Sequence, residues 1–89
     1  MPLFVIEREF AERIEQSAEA DAAITRINEE VGVRWLYSFL RADQKKTYCL
    51  YEAIDAEAIR EAARRAGLPA DVVVEVTEMS PSEGPATVT

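Results

Sequence analysis

The sequence predicts an α+β domain built in the order β-α-β-β-α-β. Three observations carry that reading. Four short runs are rich in apolar, β-branched and aromatic residues, two stretches between them repeat apolar residues at helical spacing, and only a short polar break, ADQKK, separates the two central runs.

The first run, Leu3–Glu9 (LFVIERE), is apolar at its start and alternates charge at its end, as a strand approaching solvent does. Phe10–Gln16 (FAERIEQ) reads either as the opening turns of a helix or as a loop before Ser17, a good N-cap. Ala20, Ile24, Ile27 and Val31 then share one helical face, and Gly32 supplies the left-handed residue that ends a helix. Val33–Leu40 and Lys46–Ala53 form the two arms of a hairpin. A three-residue loop at 42–44 would pair positions of equal parity, placing Trp35, Tyr37 and Phe39 on one face with Thr47, Cys49 and Tyr51, and Arg34 opposite Glu52. Asp55 caps a second helix that runs to Ala66, buries Ile59, Ala62, Ala63 and Ala66, and stops at Gly67 and Pro69. Asp71–Met79 (DVVVEVTEM) is the fourth strand. The domain therefore spans residues 1–79. Residues 80–89 offer almost nothing to bury and read as a mobile tail. This order is the ferredoxin-like arrangement, a four-stranded antiparallel sheet with right-handed crossovers that place both helices on one face.

Composition narrows the function. Seventeen acidic against ten basic residues give a net charge of −7, which disfavours nucleic acid and anionic membranes as partners. No apolar run reaches spanning length and no secretory leader is recognisable, so a cytoplasmic protein is expected. The single Cys49 excludes an intrachain disulfide, and the chain has no histidine, the commonest metal ligand and the usual proton shuttle near neutral pH.

The uncovered sheet face, about 300 Å² in projection, needs a cover, and a homodimer is the expected one. Parity puts Leu3, Val5, Glu7 and Glu9 on one side of the first strand and Phe4, Ile6 and Arg8 on the other, the side that should meet the helices. Glu7 then lies on the open face, with Glu52 as its neighbour if Tyr48 and Leu50 also point outward. Two adjacent carboxylates there would raise one pKa or attract a divalent cation. The other reading of Glu52 is an Arg34–Glu52 cross-strand pair.

WLYSFL (35–40), KTYCLYEA (46–53) and AIREAARRAGLPAD (58–71), together with VIER (5–8), resemble a family of small bacterial ferredoxin-like domains described, for one branch, as nickel-binding proteins. The resemblance covers most of the chain apart from the tail. It implies a divalent metal such as nickel as cofactor. Typical members carry histidines, which this chain lacks, and sites built only from carboxylates and water suit Mg²⁺, Ca²⁺ or Mn²⁺ better than Ni²⁺. Glu7 and Glu52 are the candidate metal ligands. Trp35, Tyr48 and Cys49 are the candidate ligand-face residues. The alternative function is a cofactor-free enzyme or small-ligand binder using the sheet-face cleft of a dimeric α/β barrel.

Cys49 reads as a small buried hydrophobe, with no base nearby in sequence to make it a reactive thiol. Trp35 and Tyr37 suit core or dimer packing, or stacking on an aromatic ligand. Pro2, exposed as an N-terminal secondary amine once Met1 is removed, would be a base or nucleophile only if buried. Arg60, Arg64 and Arg65 share their helix with Glu57 and Glu61 and read as a solvated face.

Overall fold

The computed structural model describes residues 1–81. In chain order the elements are β1 (Leu3–Glu9), α1 (Ala18–Val31), β2 (Arg34–Leu40), β3 (Lys46–Glu52), α2 (Ala56–Ala66) and β4 (Val72–Val76). The four strands form one antiparallel sheet in the order β2-β3-β1-β4, the ferredoxin-like topology. β4 is shorter than the valine-rich run suggests and stops at Val76, and most of the tail falls outside the described residues.

Both helices begin and end as their sequences dictate. The Ser17 hydroxyl accepts from the Ala20 amide at 3.3 Å, and the Asp55 carboxylate accepts from that of Ala58 at 2.9 Å. Gly32 (φ 85°) and Gly67 (φ 69°) adopt the left-handed conformation, and their amides return to carbonyls of the last turn. The segment between β1 and α1 is not helix. The Phe10 amide donates to the Lys45 carbonyl and the Ile14 amide to that of Gln44, both at 2.8 Å, while the Gln44 side chain donates to the Ile14 carbonyl at 3.1 Å. Gln44, at φ 62°, thus ties this segment to the β2–β3 turn.

The core lies on the helix side of the sheet. Phe4, Ile6, Cys49 and Tyr51 from β1 and β3 pack with Val33, Ala53, Ile59 and Ala62, and Ile27, Val31, Trp35 and Val73 close around them. The alternating burial of β1 and β3 follows from one strand face meeting helices and the other none.

The hairpin register departs from equal parity. Arg34 pairs with Glu52 and Trp35 with Tyr51, but a bulge at Leu36 shifts the ladder, so that Tyr37 faces Leu50, Ser38 faces Cys49, Phe39 faces Tyr48 and Leu40 faces Thr47. Trp35 keeps the predicted face with Cys49 and Tyr51. Tyr37 and Phe39 move to the opposite face, where they meet edge to face at 5.6 Å and stand more than half exposed.

Candidate functional site

The amino-terminal half of α1 is AEADAA, too small and too polar to fill the space above the sheet. Along α1 only Asn28 is buried. Ala20, Asp21 and Ile24 therefore wall a cavity of about 610 Å³ rather than closing it. Its floor is the helix face of β1, β2 and β3, with Arg8, Trp35, Ser38, Thr47, Cys49 and Tyr51, and Phe10 and Ile14 of the clipped segment form its far side. This volume lies within the range of small-molecule sites, which combine apolar walls with a few convergent polar groups.

Those polar groups are ordered by one another. The Trp35 indole donates to the Ser38 hydroxyl at 2.8 Å, and the bulge is what lets residues three apart share a face. The Cys49 thiol lies 3.6 Å from the Thr47 hydroxyl. Arg8 donates through Nη1 to the Pro69 carbonyl and through Nη2 to the Tyr51 hydroxyl at 3.4 Å, its guanidinium standing 5.8 Å from the Tyr51 ring centre. Trp35 stacks on the Tyr51 ring with centres 6.5 Å apart. Burial pushes the Tyr51 phenol above its usual 10.0, while Arg8 pulls the other way.

Of the predicted ligand-face residues, Trp35 and Cys49 meet in this cavity, and Tyr48 does not. Tyr48 pairs with Glu7 on the open face, 5.3 Å from the Lys46 ammonium. Sequence reasoning placed Arg8 on the core side of β1 but did not name it as a site residue. The signal was available, as an arginine alternating with Phe4 and Ile6.

Glu7 and Glu52 do share the open face, as expected from parity, but they are not neighbours. Glu52 faces Leu3, whereas Glu7 faces Tyr48, four ladder positions away or about 13 Å at ~3.3 Å per residue. Each has a cation instead: Lys46 Nζ lies 2.8 Å from Glu7, and Arg34 Nη1 lies 3.5 Å from Glu52, the cross-strand pair that sequence offered as the other reading. Among the described residues no three His, Cys, Asp or Glu side chains come together. Pro2 is exposed, so the burial its amine would need is missing. Arg64 and Arg65 are engaged by Glu57, Glu61 and Glu30 as a solvated helix face.

Apart from Glu9, which lies 3.9 Å from Lys46, the rest of the open face is apolar. Leu3, Val5, Tyr48 and Leu50 occupy its centre, and Tyr37, Phe39, Val72 and Val74 its exposed margins. No helix among the described residues is long and apolar enough to cross a membrane.

A family model described as "Nickel responsive protein SCO4226-like" matches residues 4–76. Among solved structures, the crystal structure of SCO4226 from Streptomyces coelicolor A3(2) superposes with a TM-score of 0.77 at 24% identity, over 88% of this chain and 99% of that one. At that identity the likeness speaks for the fold. No curated protein matches the chain.

Proposed function

Since the chain belongs to the SCO4226-like family of nickel-responsive proteins, we propose that it acts in a metal response as a small binding protein, and that it does so as a homodimer joined through the open sheet face. The observation behind the dimer is that apolar face: Tyr37 is 54% exposed and Phe39 63%, beside Val72 and Val74, with no helix of the described residues to cover them. Contiguous apolar surface of this kind marks an interface, and a self-complementary patch closes most simply with two-fold symmetry.

The chain's own donors do not fit a nickel centre within one copy. It has no imidazole, and its two candidate carboxylates lie apart and are already paired with cations. Apposed open faces could bring at most one such carboxylate from each copy together, because Glu7 and Glu52 of one copy lie four ladder positions apart. An oxygen-only set of that kind lacks the nitrogen donors that suit Ni²⁺ and would hold any divalent ion weakly, Ni²⁺ still above Mn²⁺ in the general order of affinities.

Light scattering coupled to gel filtration should return twice the 10.0 kDa of one chain, and Phe39→Glu should return a single chain with unchanged circular dichroism. A monomer at every concentration up to millimolar would refute the dimer. In titration calorimetry the dimer should take up Ni²⁺ more tightly than Mn²⁺, both weakly for want of nitrogen donors, and Glu52→Ala should remove the heat. An unchanged heat in that variant would remove Glu52 from the metal reading.

A further inference from the structure

Arg8 is the one charged side chain buried among the described residues, at 4% exposure. No carboxylate among those residues lies within ion-pair distance of it. Its two hydrogen bonds go to neutral oxygens, the Pro69 carbonyl and the Tyr51 hydroxyl, out of the five N–H groups a guanidinium can offer. A buried cation without an anion is costly, and buried charges are normally paired. Arg8 lines the 610 Å³ cavity, so its missing partner has a place to sit.

We propose that this cavity binds a small organic monocarboxylate with an apolar or aromatic body. The carboxylate meets the Arg8 guanidinium, with the Thr47 hydroxyl, which accepts from Cys49 and keeps its own proton to donate, as a further partner. The body lies against Trp35, Ile24 and Ile14. Charge selects the class. There is one cation in the floor, while Asp21 and Glu15 line the wall and the chain carries −7 overall, so a phosphate or a dicarboxylate would meet more repulsion than attraction. A neutral apolar molecule would fill the space and leave the guanidinium unmet.

The site lies on the helix side of the sheet, touches the proposed dimer surface only at Tyr37, and contains neither Glu7 nor Glu52, so it goes beyond the metal-response reading and is tested apart from it. Trp35, the only tryptophan, reports from the cavity wall. The full chain in chelator-treated buffer is titrated with phenylacetate, indole-3-acetate and hexanoate, and with phenylacetamide as the uncharged match. We expect a saturable change in Trp35 fluorescence, confirmed by calorimetry, with the acid at least about tenfold tighter than the amide, the scale of a charge-assisted hydrogen bond. Arg8→Gln should bring the acid down to the amide's affinity. Ala20→Phe, at an exposed position of the cavity wall, should abolish binding with helix content and melting midpoint retained, and it decides the matter if Arg8→Gln fails to fold. Phe39→Glu should bind as the parent does. Equal affinity for acid and amide, displacement of phenylacetate by equimolar inorganic phosphate, or no saturable response to any of the three acids would overturn the proposal.

Discussion

Tyr51 is 3% exposed, stacks on Trp35 and accepts a hydrogen bond from Arg8, so its hydroxyl sits between the aromatic core and the buried charge. Its phenol is held above the ordinary value of 10.0 because burial disfavours the phenolate. In the unfolded chain the same phenol ionises at its ordinary value. The stability linked to the neutral phenol is therefore complete below pH 10.0 and is lost as pH rises through the higher native value. Lys46, raised above 10.5 first by its hydrogen bond to Glu7, adds a second alkaline loss. Tyr51→Phe should cost about 0.5–1.5 kcal/mol at neutral pH through the lost hydrogen bond. It should also flatten the fall of the urea midpoint just above pH 10, leaving the Lys46 component. An alkaline limb identical to that of the parent would contradict this account. The sequence showed Arg8 among core positions, but its lack of a carboxylate partner was not legible. That depends on where Glu7, Glu9 and Asp71 end up, and Asp71 instead accepts from the Glu9 amide at 2.7 Å.

At the level of elements, helix ends were legible because caps are local. Ser17, Gly32, Asp55 and Gly67 act within their own turns, so the residue type and its spacing suffice. Asp55→Ala should lower stability by about 1 kcal/mol in urea denaturation. Ser17→Ala should cost less, since the Asp55 bond is shorter and brings a negative charge to a helix amino terminus. Asp55→Asn should recover most of the loss, whereas equal midpoints for Asp55→Ala and the parent would show that the cap contributes nothing. The hairpin was only half legible. WLYSFL contains apolar residues of both parities, so it carries no mark of the bulge at Leu36, and a one-residue shift sends Tyr37 and Phe39 to the other face. The same dependence on register undid the acidic pair. Parity correctly put Glu7 and Glu52 on one face, but antiparallel pairing set Glu52 beside Leu3 at the far end of the ladder.

For the molecule as a whole, the order of elements followed from patterning that each segment carries by itself, whereas the cavity needs the small amino-terminal half of α1 to meet the helix face of the sheet and the segment that Gln44 ties to the β2–β3 turn. Which of these come together is not local in sequence. The charge balance has a global consequence as well. With net charge −7 at neutral pH and an isoelectric point near 4.5, the folded chain repels itself, and acidification at first relieves this. Opposing that trend, Arg65 and then Arg64 hold Glu61 below the usual 4.5, and Arg41 with the Lys45 amide holds Asp43 below 3.8. A carboxylate with a depressed native pKa contributes stability that is present above its unfolded value and lost as pH falls through the native one. The two effects cross, so the urea midpoint should rise from pH 7 toward about pH 5 and then fall below about pH 4. Added salt should raise the neutral value and shrink the rise, because it screens the exposed charges responsible. Glu61→Gln should weaken the acid fall while leaving the rise between pH 7 and 5 in place. A midpoint that declines steadily from neutral pH would mean that paired carboxylates, rather than net repulsion, dominate throughout.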